Sequence, residues 1–198
     1  MIFVFFVVSF NSFSQHGLRL SYYMPIDDFA YILKPNIGFK YTYLITEKDS
    51  KLRLGVSVEF TYRNPKQDTL KYLTIRHDGF YQTALPSEWI IKKYYSFPLS
   101  AFLEYKFASD RKFSPLIGGS VFGEFSQLNY EKKIPLLSEE YVQGPSGGVG
   151  LTTYCGVIYN MNNSFEIIAK FGYRFNKEFT IGVYNQVFFS VGLTYFKE

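Results

Sequence analysis

The stretch Lys51–Arg63, KLRLGVSVEFTYR, alternates polar and apolar side chains without a break. A β-strand has a side-chain period of two, so the apolar residues form one row on one face. A helix turns 100° per residue and would scatter them around its axis. The run is about twice as long as an average globular strand. It matches the roughly 9–11 residues of a tilted strand that crosses a bilayer, and it therefore predicts a membrane-crossing strand.

Composition agrees with a β-rich chain of one domain. The 198 residues suit one domain, and 21% of them are aromatic, which favours strands over helices. The net charge is +4, and the Lys and Arg residues are spread along the sequence. Without a basic cluster, no nucleic-acid partner is predicted.

The same period of two marks eight candidate strands. In chain order they are Leu18–Met24, Asn36–Thr46, Lys51–Arg63, Tyr94–Phe107, Lys112–Gln127, Gly148–Asn160, Ser164–Phe175 and Tyr184–Phe196. Short and long connections alternate strictly between them. In an antiparallel meander, this pattern puts every short turn at one end and every long loop at the other. Outer-membrane barrels have this asymmetry, with short periplasmic turns and long extracellular loops. The predicted fold is all-β, an eight-stranded antiparallel up-and-down transmembrane β-barrel.

Alternation alone does not say which face points outward. A soluble exported lipocalin-like barrel, with its apolar residues inside, would show the same period and is the alternative. The length of the strands favours the membrane barrel. So does the polar face of the strands, which is rich in Gly, Ser and Thr. Aromatic residues also collect at both ends of the apolar rows, as at bilayer interfaces. The lower set is Tyr43, Phe107, Tyr159, Phe165 and Tyr195, and the upper set is Tyr62, Tyr95, Tyr173 and Phe175.

The N-terminus predicts export. Residues 1–10 are apolar except for Ser9, a run of signal-peptide length that is too short to span a membrane as a helix. Small residues at Ser12 and Ser14 predict cleavage after Ser14, with cleavage after Gln15 as the alternative. No Lys or Arg precedes the apolar run, so the true start codon lies upstream or the signal is weak. The mature barrel domain is then residues 16–198.

The exported N-terminus, the eight alternating strands and the closing Val191-Gly-Leu-Thr-Tyr-Phe196 together resemble a known group. The chain is similar to the small outer-membrane β-barrel proteins of Bacteroidota, the broad group that includes PorT-like proteins. Members commonly end at the terminal aromatic residue, whereas Lys197 and Glu198 follow it here. The resemblance implies an outer-membrane location and insertion by the barrel-assembly machinery. It implies no reaction.

A barrel of eight strands encloses a space that side chains fill, so an open diffusion channel is not expected. The residues that are predicted to point inward carry charges of both signs. These charges can pair within the lumen, where unpaired charge is costly. The predicted lumen network is Arg19, Lys40, Arg53, Glu59, Glu104, Lys106, Glu124, Glu166, Lys170 and Arg174. We expect it to be a structural plug.

Catalysis by a barrel-borne lipid-modifying enzyme is the less favoured alternative. His77 lies beside Asp78 in the longest connection, with Ser87 and Ser96 downstream. Nothing around them closely resembles the motifs of lipid acyltransferases or deacylases, so no enzyme is predicted. The two histidines after the signal are not at metal-ligand spacing, and neither a metal site nor a cofactor is predicted.

The connection 64–93 carries much apolar material for an exposed loop. Trp89–Lys93 is expected to extend the barrel wall. Phe80 and Tyr81 are a candidate contact surface for another envelope protein or a surface glycan. The expected function is that of a non-enzymatic integral outer-membrane barrel, surrounded by outer-membrane lipid, whose long outer loops serve envelope structure, assembly, secretion or surface binding.

Two single residues carry further expectations. Pro98 falls on the polar parity of its strand and has no N–H to donate, which predicts a bulge or a local break in the ladder. Cys155 is the sole cysteine, so no intramolecular disulfide forms. It falls on the apolar parity and is predicted to be a small buried hydrophobic residue.

Overall fold

A computed structural model of the chain describes residues 15–26, 30, 33–63, 69–78, 81–108, 111–133, 140–179 and 182–196. Side-chain environments are described for these residues except 69–78, 81–93, 128–133 and 140–144. The predicted signal segment 1–14 and Phe80 lie outside the described residues. No described helix is both long and apolar enough to cross a membrane.

The described residues form nine β-strands, all antiparallel to their neighbours. They are β1 Gln15–Ile26, β2 Asn36–Leu44, β3 Leu52–Arg63, β4 Thr69–Asp78, β5 Tyr81–Lys106, β6 Phe113–Lys133, β7 Glu140–Asn160, β8 Phe165–Glu178 and β9 Gly182–Phe196.

Eight of these strands close into a barrel. β1 pairs with both β2 and β9, and the order continues around the sheet to β3 on one side and to β5 on the other. Pairing between β3 and β5, from Leu52 opposite Tyr105 to Arg63 opposite Tyr94, closes the ring. β4 is a branch that pairs with the upper part of β5. The predicted eight-stranded antiparallel barrel is confirmed.

The predicted long connections are shorter than expected because their residues continue the sheet. Residues 69–78 and 81–90 pair as a hairpin, so most of the predicted loop 64–93 is strand. Trp89–Lys93 lies within β5, which confirms the predicted extension of the wall. β6 and β7 likewise run past their predicted ends, and their backbones pair up to Lys132 opposite Glu140. These extensions form through backbone pairing, which does not require polar and apolar side chains to alternate. The sequence pattern therefore did not show them.

The wall of the barrel is apolar outside and polar inside. Leu18, Phe39 and Phe125 are 68%, 66% and 70% exposed, whereas Arg53 and Glu104 are 1% and 0% exposed. A soluble lipocalin-like barrel requires the opposite arrangement, so that alternative is wrong. An apolar wall around a closed barrel suits hydrocarbon, because closure lets the backbone groups bond between neighbouring strands and leaves no open edge in the wall.

Aromatic rings touch at both ends of the outer wall. At the end with the short turns, Phe165 and Tyr195 lie 5.2 Å apart between ring centroids. At the other end, Tyr62 and Tyr95 lie 5.0 Å apart. Rings of this kind are favoured at the two bilayer interfaces.

Glycines face interior aromatic rings across the sheet. Gly55 is the cross-strand partner of Phe102, and Gly150 is the partner of Phe122. A Cβ at either glycine would overlap the opposite ring. The missing side chains therefore make room for rings that fill the lumen.

Pro98 and Cys155 differ in outcome. Pairing between β3 and β5 stops after Val58 opposite Leu99 and resumes at Thr61 in the same register, while β5 pairs with β6 straight through Pro98. Pro98 thus causes the predicted local break and no bulge, because it lacks one N–H donor. The prediction for Cys155 was wrong: it is exposed on the outer wall. The apolar face of β7, on which Cys155 lies, points away from the lumen.

Candidate functional site

Two clusters of apolar side chains lie inside the lower part of the lumen, the part nearest the short turns. Leu44, Phe102 and Phe196 form one buried cluster, and Leu116, Ile158 and Ile168 form another. These residues occupy inward positions towards the lower ends of their strands. Charged side chains are interleaved with them, since Glu166 lies nearer the short turns than Ile168 on β8, and Lys106 lies nearer them than Phe102 on β5.

A lysine joins two of the lower turns. Lys48, in the turn between β2 and β3, donates from Nζ to the carbonyl oxygens of Asn162 and Asn163 at 2.6 and 2.8 Å. Its ammonium also lies 5.3 Å from the ring centroid of Phe196. The contact links the turn between β2 and β3 to the turn between β7 and β8, which are distant in sequence.

In the same part of the lumen, each of two carboxylates contacts two cations. Glu166 lies 3.1 Å from the guanidinium of Arg53 and 3.4 Å from the ammonium of Lys106. Glu104 forms an ion pair with Lys170 and lies 3.8 Å from Arg19. In a low-dielectric interior, such pairing offsets much of the cost of burying each charge.

Tyrosine hydroxyls support the carboxylates of this part of the lumen. The hydroxyl of Tyr154 donates to Glu104 at 2.9 Å. Glu59, one layer higher, accepts from the hydroxyl of Tyr23 and pairs with Lys40 at 3.2 Å and with Arg174 at 3.5 Å. Each carboxylate therefore accepts hydrogen bonds from both charged and neutral donors.

The upper part of the lumen is organised around Glu124. Arg63 and Arg174 contact it at 3.3 and 3.5 Å, and Tyr94 donates to it at 3.2 Å. The guanidinium of Arg63 lies 4.8 Å from the ring centroids of both Tyr94 and Tyr184. Arg174 contacts Glu59 as well as Glu124, so it connects the middle of the network to its upper part.

All ten residues of the predicted lumen network lie inside the barrel, and each takes part in an ion pair. The prediction missed Arg63, although Arg63 lies on the polar face of the stretch Lys51–Arg63. It also missed Glu178, which lay in a predicted loop and accepts from Ser126 at 3.2 Å. The prediction also left out the buried tyrosines, although Tyr23 lies on the same face of β1 as Arg19.

The residues of the catalytic alternative are far apart in the sheet. His77 is paired with Gln82 on β5, and Ser87 is five residues further along. At 3.4 Å per residue, their backbones are roughly 17 Å apart. Ser96 is inside the barrel, where its hydroxyl shares a hydrogen bond with Thr61. Within the described residues, no group of three or more His, Cys, Asp or Glu is placed to hold a metal ion.

No family model and no curated protein sequence matches the chain. Solved structures do match. Neisserial surface protein A (NspA) has a TM-score of 0.56 at 13% identity, over 92% of this chain and 96% of that one. A major outer membrane protein from Thermus thermophilus has a TM-score of 0.49 at 12% identity, over 93% and 99%. Ail, the attachment invasion locus protein of Yersinia pestis, has a TM-score of 0.48 at 14% identity, over 93% and 98%.

The likeness to NspA shows the fold, and the chemistry of the wall shows where this fold is stable. Exposed Leu, Val and Phe rows around a charged lumen require lipid outside. Closed antiparallel barrels with an even number of strands, from about eight upward, are the form in which single β-chains cross bacterial outer membranes. The chain is an integral β-barrel protein of the outer membrane.

Proposed function

We propose that this barrel is a non-enzymatic anchor that presents a projecting β-sheet to another protein of the cell envelope. Strands β5, β6 and β7 contain 26, 21 and 21 residues. Only about 9–11 residues of each are needed to cross the bilayer. The excess lies at the end opposite the short turns, where β4 joins the sheet. The side-chain-filled lumen supports an anchoring role over a transport role.

The observation that carries this proposal is the edge of β4. Within the described residues, β4 pairs with β5 alone, so one row of its N–H and C=O groups faces away from the sheet. Such an edge is a template for another strand. An extended peptide segment fits it better than a glycan, because the edge offers donors and acceptors at the regular spacing of a β-ladder. Phe80 and Tyr81, which follow β4 in the sequence, belong to the proposed contact surface.

Proline substitution tests the edge directly. Successive N–H groups of a strand point to opposite neighbours, so one of Thr74→Pro and Ile75→Pro removes a donor from the free edge. The measurement is cross-linking on intact cells with a membrane-impermeant reagent. We expect one of the two variants to lose the cross-linked complex, while Thr74→Ala, which keeps its N–H, retains it. Heat-modifiable migration in a detergent gel checks that each barrel is folded. A complex that persists in both proline variants contradicts the proposal.

Two finer points belong to the same proposal. Residues 1–14 serve as the export signal, with cleavage after Ser14 or Gln15 measurable by N-terminal sequencing of the mature protein. A role as an accessory in assembly or secretion is the finer proposal for the projecting sheet, and the resemblance to PorT-like barrels of Bacteroidota implies only the fold, the outer-membrane location and insertion by the barrel-assembly machinery. Recovery of the chain in a soluble periplasmic fraction would contradict the membrane anchor on which both points depend.

A further inference from the structure

We propose that the middle of the lumen binds one small monovalent anion, of the halide class, in a cavity lined by Arg19, Lys40 and Lys170. The cavity has a volume of about 20 Å³. A site of this size holds about one water-sized particle. A halide ion is slightly larger than water, whereas a sulfate or a carboxylate-bearing metabolite is too large.

The lining has the composition of an anion site. Three cations line it, and none of the described lining residues is a carboxylate. The other polar lining groups are mainly hydroxyls, arranged as cross-strand partners. They are Ser21 with Ser190, Ser57 with Ser100, and Ser120 with Thr152. Hydroxyl groups can donate hydrogen bonds to an anion.

Arg19 provides an independent indication of a ligand. Its side chain is 6% exposed, and its Nε and Nη2 atoms have no hydrogen-bond partner in the protein. Its contact with Glu104, at 3.8 Å through Nη1, is a long one. Buried donors are almost always satisfied. Arg53 and Arg63 also have two such atoms each, but of these three arginines only Arg19 lines the cavity. Its unsatisfied N–H groups beside a small cationic cavity therefore point to a bound acceptor.

The charges of the lumen favour an anion over water at this place. Among the described residues, seven cationic side chains face five carboxylates inside the barrel. The cations are Arg19, Lys40, Arg53, Arg63, Lys106, Lys170 and Arg174, and the carboxylates are Glu59, Glu104, Glu124, Glu166 and Glu178. Buried charge without a counter-charge is costly. The carboxylates next to the cavity are shared, since Glu104 serves both Arg19 and Lys170.

The first test compares salts at equal ionic strength, so that general screening is the same. The mature protein is folded in detergent micelles with sodium chloride, bromide or gluconate, and the midpoint of its urea unfolding is measured. A ligand that binds the folded state alone stabilises it in proportion to the logarithm of its concentration above its dissociation constant. We expect the midpoint to rise with the logarithm of chloride or bromide concentration and not to respond specifically to gluconate.

Two arginine variants separate binding from loss of charge. Arg19→Gln removes a donor to the cavity, whereas Arg53→Gln removes an equally buried cation that pairs with Glu166 outside it. We expect Arg19→Gln to lose the halide dependence and Arg53→Gln to keep it. If Arg19→Gln does not fold, Ser190→Val fills the cavity without changing any charge and should also lose it. Equal responses of the unmodified protein to bromide and gluconate would overturn the proposal.

A direct measurement decides between halide and water. In crystals grown with sodium bromide, anomalous diffraction should give a bromide peak in the cavity, within hydrogen-bond reach of the Arg19 guanidinium. Electron density in the cavity without anomalous signal would identify water in it and overturn the assignment. A bromide peak on the protein surface alone would overturn it too.

Discussion

Glu104 is the residue whose removal should damage the lumen most selectively. It is fully buried, pairs with Arg19 and Lys170, and accepts from Tyr154. In Glu104→Gln, two buried cations lose their counter-charge, and the loss of one partner of a buried pair costs about 3 kcal/mol or more. We expect the free energy of unfolding in detergent micelles to fall by that amount. Glu47→Gln, at an exposed position in a lower turn, is the matched control and should have little effect.

Similar losses of stability in the two variants would show that the carboxylate of Glu104 is not the counter-charge of its neighbours. At this scale, the sequence identified ten of the twelve described charged residues that face the lumen, because a period of two assigns every residue of a strand to one face. It did not identify their partners. Lys170 and Glu104, for example, lie on strands that meet only across the closed barrel.

His77 tests the catalytic alternative. His77→Ala should leave the acylation pattern of lipid A unchanged in cells that express the protein, because the sheet separates His77 from Ser87 and encloses Ser96 in the lumen. Mass spectrometry of extracted lipid A provides the measurement. A changed acylation pattern, with the variant still heat-modifiable and present in the outer membrane, would restore the enzymatic alternative.

At the scale of the strands, close packing across the sheet depends on interior glycines. A Cβ at Gly150 would meet the ring of Phe122 and the carbonyl oxygen of Phe175, whereas a Cβ at Gly123 on the outer wall meets nothing. Inserting a methyl group into a packed interior costs about 1–3 kcal/mol. We therefore expect Gly150→Ala to lower the midpoint of urea unfolding and Gly123→Ala to leave it within error. A larger effect of Gly123→Ala would contradict the assignment of inner and outer faces.

The strands also show where pattern reading fails. Alternation located the membrane-crossing part of every strand, as in Lys51–Arg63, because the hydrophobic effect imposes it wherever one face meets lipid and the other faces the lumen. Beyond the bilayer this requirement ends, so β4 and the upper parts of β6 and β7 carry no clean alternation. Their backbones still pair, and only the structure revealed them.

For the whole molecule, the filled lumen predicts an impermeable barrel. Apolar clusters and ion pairs together fill the lower part of the lumen, and the ion pairs around Glu124 occupy its upper part. The purified protein, reconstituted into a planar bilayer, should produce no steady open-channel conductance, because no continuous water path replaces the hydration of a permeating ion. Micelles without protein give the baseline. A steady conductance that scales with the number of inserted barrels would contradict a plugged lumen.

The sequence by itself determined the strand period, the meander order of the barrel strands and the two faces of each strand, because these depend on residues that are near one another in the chain. The tertiary structure alone decided which cation contacts which carboxylate, that β3 meets β5 to close the ring, and that a small cationic cavity remains at the centre. These features depend on cross-strand register and on side chains from distant strands meeting in one enclosed space, where electrostatics and packing act together.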